Sequence, residues 1–139
     1  MKKKLIEILG ASSLFQKLVS KHYTNFAVSY KIARAAKELD ENRTFYITEE
    51  KKLIEKYAKR DEKGQIIIED GNRVRFETPE DGNAFQEEIL KLQQTEIDIF
   101  DKIIINFKDF KGDDMDLTPM DIVGLEEFVE FVDDDVKEA

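Results

Sequence analysis

The sequence contains no cysteine and no tryptophan, and it has a single histidine, His22. Without cysteine, the chain can form no disulfide, no thiolate metal site and no cysteine nucleophile. One histidine leaves no partner for a site with two imidazole ligands. No apolar run approaches the roughly 18 residues of a membrane span, and the first ten residues do not resemble a secretory signal. We therefore expect a soluble, intracellular protein that forms one domain over residues 1–139.

Acidic side chains are concentrated at one end of this chain, whose formal net charge is −9. Residues 109–139 contain 12 acidic side chains and two lysines, whereas residues 1–108 are almost balanced. Within that first part, residues 1–37 hold eight basic groups and one acidic group. Two interpretations are open: the two segments lie close together and partly neutralise each other, or each presents its own charged surface.

Apolar residues recur at helical spacing in the first sixty positions. The pattern predicts one helix within residues 3–22, which Gly10 could interrupt. From Phe26, steps of four and three residues predict a long helix that reaches residue 60 and is capped by Thr24 or Asn25.

The middle of the long helix has a weak segment. Asn42, Thr44 and Thr48 all have low helix propensity, and Thr48 is a good helix cap. Two antiparallel helices over residues 26–40 and 48–60 are therefore the alternative.

The helical period ends before residue 66. Asp70-Gly71 separates the β-branched run 66–68 from the alternating run 73–76, which is typical of a hairpin with a type I′ turn. The alternation predicts that Val74 and Phe76 face the core and that the two arginines beside them face water.

Two later helices share one start signal. Thr78-Pro79 and Thr118-Pro119 each place a hydroxyl at the cap, a proline at the first helical position and a carboxylate two residues further on. The second helix is expected to bury a stripe formed by Ile122, Leu125, Val129 and Val132. Between the helices, residues 96–99 and 103–105 predict short strands that could extend the hairpin into a sheet.

These elements define the predicted fold class as α+β and mainly helical. It has two to three N-terminal helices including a long one, a β-hairpin or small antiparallel sheet, and two further helices with Thr-Pro caps.

Motifs that carry chemistry are missing. The sequence has no phosphate-binding glycine loop, no nucleophile elbow and no zinc-binding helix motif. Neither His22 nor the pair Ser12-Ser13 has a catalytic partner nearby in sequence. The acidic run after Asp109 lacks the glycine and glutamate spacing of a calcium loop. We therefore predict a protein that is not an enzyme and uses no cofactor and no metal ion.

The remaining candidates are two charged surfaces. An acidic surface can imitate nucleic-acid phosphates and occupy a cationic channel on another protein. A basic surface would instead bind nucleic acid directly, although a protein of pI ≈ 4.8 repels phosphate at long range. The predicted acidic face comprises Asp113, Asp114, Asp116, Glu126, Glu127 and Glu130. The alternative basic surface comprises Lys17, Lys21, Lys31, Arg34 and Lys37.

Five segments of the chain carry a resemblance to a known family. They are residues 27–33 (AVSYKIA), 52–64 (KLIEKYAKRDEKG), 75–77 (RFE), 96–99 (EIDI) and 117–122 (LTPMDI). With these segments, the sequence resembles a small, uncharacterised family of proteins from phages and prophages of Gram-positive bacteria, over about residues 12–132. The family usually has a proline just before its long helix, where this chain has Tyr23-Thr24-Asn25.

The resemblance implies a phage-encoded protein that acts in the cytoplasm of the infected bacterial host, and it supplies no catalytic residues. Our first hypothesis is an inhibitor that binds a host defence complex, such as a nucleic-acid-handling CRISPR effector, by nucleic-acid mimicry. The second is a virion-assembly accessory or chaperone whose long helix docks on a structural protein or on a second copy. A nucleic-acid-binding protein that uses the basic surface is third. We expect a protein partner, no membrane, and a monomer or homodimer.

Overall fold

The computed structural model describes residues 1–69, 71, 73–112 and 116–133. The chain divides into two compact units. Unit 1 contains the described residues of 1–43 and 96–139, and unit 2 contains those of 44–95. One long helix contributes to both units, and the single domain over residues 1–139 stays a prediction.

The described elements confirm the α+β, mainly helical class, with one long helix and two helices that begin at Thr-Pro. In chain order they are β1 (Lys2–Lys4), α1 (Leu5–Val19), α2 (Phe26–Tyr57), β2 (Ile68–Glu69), β3 (Arg73–Val74), α3 (Pro79–Gln93), β4 (Glu96–Asp98), β5 (Ile103–Asn106), a short 3₁₀ helix (Phe107–Asp109), α4 (Pro119–Leu125) and β6 (Val129–Val132).

Helix α2 is continuous, so the alternative of two antiparallel helices is wrong. Asn25 is the cap, because its Oδ1 accepts hydrogen bonds from the backbone N–H groups of Ala27 at 3.0 Å and Val28 at 3.4 Å. Two residues of the weak segment bond within the helix: Asn42 Nδ2 donates to the carbonyl of Glu38, and Thr48 Oγ1 donates to the carbonyl of Thr44. Because these side chains are satisfied inside the helix, they do not interrupt it.

Lys3 and Lys4, within the range predicted for the N-terminal helix, belong to strand β1 instead, and β1 pairs with the predicted strand after α3. Strands β1 and β4 pair antiparallel, with Lys2 opposite Asp98 and Lys4 opposite Glu96. These cross-strand neighbours have opposite charges, which favours the pairing. The hairpin β2–β3 belongs to unit 2, so β4 and β5 do not extend it into one sheet.

The segment after α4 also corrects the sequence interpretation. The predicted helical stripe is split, because α4 ends at Leu125 and residues Val129–Val132 form β6. Strand β6 pairs with β5 in parallel, with Ile103 opposite Val129 and Ile105 opposite Phe131. Val129 and Val132 fit a helix spacing of three, but β-branched and aromatic side chains also favour a strand, and the pairing with β5 decides between them.

The core of unit 1 joins α1, the first part of α2, β5, α4 and β6. Phe15 of α1 is fully buried at its centre, with its ring 5.7 Å from that of Phe100 and 6.3 Å from that of Phe128. Helix α4 comes very close to α1 at Gly124, where an added Cβ would lie 2.7 Å from Leu14 Cδ1. A side chain at this position would therefore require the end of the half-buried Leu14 side chain to turn aside.

Unit 2 has far less buried apolar surface than unit 1. Tyr46 and Ile89 are its buried hydrophobic residues in the described part of the chain. The hydroxyl of Tyr46 accepts a hydrogen bond from Gln93 Nε2 at 3.3 Å, and burial raises the pKa of this hydroxyl. Four large apolar side chains of the unit are instead about half exposed: Phe45, Ile47, Ile68 and Leu90.

A buried and an exposed phenylalanine of unit 1 test how much the core around Phe15 contributes to the free energy of unfolding. Replacing the fully buried Phe15 by alanine removes contacts with two other rings, and we expect it to lower the free energy of unfolding by about 3–5 kcal/mol. Phe26 is 83% exposed, so Phe26→Ala is the matched control and should change stability by less than about 0.5 kcal/mol. Urea unfolding measures both values, and equal losses in the two variants would contradict this description of the core.

Candidate functional site

The predicted acidic face is only partly within the described residues. Asp113 and Asp114 lie outside them. Asp116, Glu126 and Glu130 are exposed, and within the described part of the chain no ion pair or hydrogen bond engages their carboxylates. Asp116 precedes the cap of α4, Glu126 follows its last residue, and Glu130 lies on β6 between the buried Val129 and the half-buried Phe131.

Glu127 is held by the protein's own N-terminal segment. Lys3 Nζ lies 2.9 Å from Glu127 Oε2 and 5.5 Å from the centre of the Phe128 ring. The hydrogen bond and the positive charge of Lys3 lower the pKa of Glu127. Glu127 is therefore already paired with a cation, unlike its neighbour Glu126.

Asp121 is the second carboxylate of the acidic segment that faces inward. Its Oδ2 accepts the backbone N–H of Thr118, and the hydroxyl of Thr118 accepts the backbone N–H of Asp121, each at 3.1 Å. Lys17 Nζ of α1 approaches Asp121 Oδ1 at 3.1 Å. The bond from Thr118, followed by the bond from Lys17, lowers the pKa of Asp121. This carboxylate therefore caps α4 and links it to α1.

The Lys3–Glu127 and Lys17–Asp121 pairs decide how the two charged segments relate. At Lys3 and Lys17, the basic beginning of the chain contacts the described part of the acidic segment in unit 1, and the charges at these two contacts neutralise each other. Asp109 has a further structural role, because its Oδ2 accepts the backbone N–H of Asn106 at the start of the 3₁₀ helix. The negative charge that remains exposed on the described part of the predicted face is carried by Asp116, Glu126 and Glu130.

The five residues of the alternative basic surface do not act together. Lys17 is paired with Asp121, and Lys21 is half-buried just after α1. Lys37 lines a cleft between α1 and α2, whereas Lys31 and Arg34 line a separate groove next to β5. The structure therefore places Lys31 and Arg34 in one groove, and Arg34 also lies beside Lys37 in a separate shallow depression on α2.

The groove next to β5 was not predicted from the sequence. Its volume is about 520 Å³, within the usual range of ligand sites. One side is formed by α2 and the other by the segment that enters β5. Its lining residues are Tyr30, Lys31, Arg34, Ala35, Glu38, Phe100, Asp101, Lys102, Ile103 and Ile104.

One sequence feature could have drawn attention to this groove. Phe26 and Tyr30 are separated by one helical turn but lie off the buried stripe of α2, and in the structure their rings stack at 6.4 Å. The structure adds that Ile104 is 59% exposed between two buried isoleucines. Aromatic and β-branched side chains are usually buried, so a group of them that is exposed beside a buried stripe is unusual.

Two residues whose side chains are common in catalysis, Ser12 and His22, lie in unit 1. Ser12 is buried within α1, and His22 is an exposed residue whose main-chain carbonyl accepts the backbone N–H of Lys111 at 2.8 Å. Over the described residues, no three histidine or acidic side chains are grouped as metal ligands would be. No helix in that part of the chain combines the length and the apolar character needed to cross a bilayer.

Comparisons with known proteins add no assignment. Protein-family models, curated proteins and solved structures were each searched, and none of the three searches found a match. The geometry of the described residues is therefore the basis for the candidate site.

The capping role of Asp121 predicts a pH dependence. Because its pKa is lower in the folded than in the unfolded protein, its stabilising effect is complete above the ordinary value of 3.8 and is lost as the pH falls through the folded value. We expect Asp121→Asn to lower the urea midpoint clearly at pH 7 and progressively less below about pH 4.

The exposed Glu130 supplies the control for this measurement, since Glu130→Gln should leave the urea midpoint at pH 7 nearly unchanged. If Asp121→Asn lowered the midpoint by the same amount at pH 7 and well below pH 4, the carboxylate would have no stabilising role in its ionised form.

Proposed function

We propose that this protein is a phage-encoded, non-enzymatic inhibitor that binds a host defence complex in the bacterial cytoplasm. It occupies a cationic nucleic-acid channel of that complex, such as one in a CRISPR effector, and it does so by presenting carboxylates where the channel expects phosphates. The observation that carries the proposal is that Asp116, Glu126 and Glu130 are exposed and have no ion pair with any described residue, although lysines of the same protein lie close enough to neutralise Asp121 and Glu127.

The three exposed carboxylates can attract the cations of a partner because no lysine of the described residues is paired with them. A carboxylate with an internal cation has little attraction for an external one, whereas an unpaired one adds to the field that an approaching partner meets. Arginines and lysines in a nucleic-acid channel would supply the complementary charge and accelerate association, most strongly at low salt. No covalent chemistry is required, which agrees with a sequence that has no catalytic motif.

Charge reversal tests the proposal directly. The triple variant Asp116→Lys, Glu126→Lys, Glu130→Lys should compete with duplex DNA for a purified CRISPR effector at least about tenfold less well than the wild type, because like charges now meet. A mobility-shift competition assay at low salt measures this effect.

The matched control reverses three exposed glutamates outside the acidic segment: Glu41, Glu55 and Glu62. It changes the net charge equally, so it should compete much better than the triple variant. If both variants lost the same ability to compete, the effect would come from net charge and not from the acidic face. If the triple variant competed as well as the wild type, mimicry would be refuted.

A second candidate function is favoured by apolar side chains that unit 2 leaves exposed. We propose as the alternative that the protein is a virion-assembly accessory that docks a structural protein or a second copy through this unit. Phe45 and Ile47, on α2, are 47% and 48% exposed in a unit with little buried apolar area, and their spacing of two residues puts them on opposite faces of the helix. A partner that encloses this part of α2 would cover both side chains.

The dimer version of this alternative predicts a concentration-dependent increase in mass. Mass photometry and sedimentation should show dimers of the wild type, and Phe45→Ser with Ile47→Ser should remove them. The variant Phe26→Ser, which removes an exposed ring of unit 1, should dimerise normally. Monomers of the wild type at all accessible concentrations would exclude the dimer version.

A further inference from the structure

Strand β5 has one edge that its partner does not use. In this parallel pair the backbone N–H of Ile103 donates to the carbonyl of Phe128 at 3.1 Å. Hydrogen bonding to a parallel neighbour alternates along a strand, so residues 103 and 105 face β6 and the N–H and C=O groups of Ile104 point to the opposite edge. Beyond the β5–β6 pair, no hydrogen bond to the backbone of Ile104 is present in the described part of the chain.

The groove of about 520 Å³ lies at that open edge. Ile103 and Ile104 both line it, although successive side chains of a strand point to opposite faces of the sheet. A cavity in contact with both residues must therefore reach the edge of the strand. Ile103 is buried in the core cluster that includes Ile32 and Ala35 of α2, so α2 covers one face of β5 and also forms the other side of the groove.

The charge of the groove favours an acidic occupant. Lys31 and Arg34 are exposed on the α2 side, and no ion pair engages either of them within the described residues. Lys102 adds a third cation. Of the two carboxylates in the lining, Asp101 already faces the amino group of Met1 at 3.5 Å.

We propose that this groove binds an extended segment of a partner protein, in which acidic and apolar residues alternate, as an added strand on β5. The backbone of the segment bonds to the N–H and C=O of Ile104. Its acidic side chains point towards Lys31 and Arg34 on α2, and its apolar side chains lie on the other face beside the exposed side chain of Ile104. Strand addition of this kind obtains affinity from the backbone and specificity from alternate side chains.

A peptide fits these observations better than a nucleic acid. The backbone donor and acceptor of Ile104 match the spacing of another strand, which a phosphate chain does not reproduce. The protein as a whole has a net charge of −9 and repels polyanions at long range, whereas a short peptide with a few carboxylates is affected much less. The site is distinct from the acidic face of the proposed function and does not depend on it.

An NMR titration of the full chain with a synthetic hexapeptide tests the proposal. The probe is acetylated Asp-Val-Asp-Val-Asp-Val amide, and we expect it to shift the Ile104 amide signal and to slow hydrogen exchange there. Two further peptides carry N-methyl groups, one at its valines and the other at its aspartates. Only one of these two sets of N–H groups faces β5 in an added strand. We therefore expect one of the two N-methylated peptides to bind at least about fivefold more weakly than the unmodified peptide.

Variants of the chain test the same contacts from the other side. Ile104→Pro removes the N–H that points away from β6, a position where an edge strand tolerates proline, and it should weaken binding at least about fivefold. Ile104→Val is its control. Arg34→Glu should weaken binding about tenfold or more, whereas Lys37→Glu, on the same helix but outside the groove, should have a much smaller effect.

Three results would overturn the proposal. One is the absence of binding by the acidic peptide at millimolar concentration. Another is binding that neither form of N-methylation weakens, because this would reduce the contact to charge alone. The third is tighter binding of a hexathymidylate than of the peptide at the same groove, which would make the site one for single-stranded nucleic acid.

Discussion

The parallel pairing of β5 with β6 is the contact on which the arrangement of unit 1 depends. It brings residues that follow α4 back to a strand that precedes it, and it buries Ile103, Ile105 and Val129 together. A parallel pair requires a long crossover, and here the crossover contains the 3₁₀ helix and α4. Because α4 is part of that connection, it is placed against α1, and the acidic segment is brought to the lysines near the start of the chain.

Because these charged segments meet, the described carboxylates of the acidic segment differ in whether a lysine lies beside them. Those at Asp121 and Glu127 serve the fold, since each has a lysine of unit 1 within 3.1 Å. Exposed pairs contribute little to stability, but Asp121 is also a helix cap in a largely buried position, which makes its role structural. Asp116, Glu126 and Glu130 make no ion pair within the described part of unit 1, and they are the carboxylates on which the proposed function depends.

Local signals in the sequence predicted local structure. The Thr-Pro starts of α3 and α4, the cap at Asn25 and the hairpin around Gly71 each depend on a few neighbouring residues, and the structure has all of them. The pairing of β1 with β4 and of β5 with β6 joins residues far apart in sequence, and no pattern within either strand specifies its partner. The short run Val129–Val132 fits both a helical stripe and a strand, so only its tertiary partner distinguishes them.

The difference between local sequence signals and contacts of distant residues also applies to the candidate sites. Composition was sufficient to locate the acidic segment, but not to separate Glu127, which meets Lys3, from Glu126, which does not. The groove beside β5 depends on two non-local facts, the side of β5 that β6 occupies and the position of α2. Neither fact is expressed in the sequence around Ile104, where three consecutive isoleucines predict a strand but not which of them the fold leaves exposed.

The approach of α4 to α1 has an implication for how this protein can vary. A side chain at position 124 would enter the space of Leu14 Cδ1, and Leu14 is a half-buried residue whose end can rotate away. A small residue such as alanine at 124 should therefore be accommodated by another rotamer of Leu14. Variation at this contact would then appear first in the conformation of one leucine and only afterwards in the choice of residue.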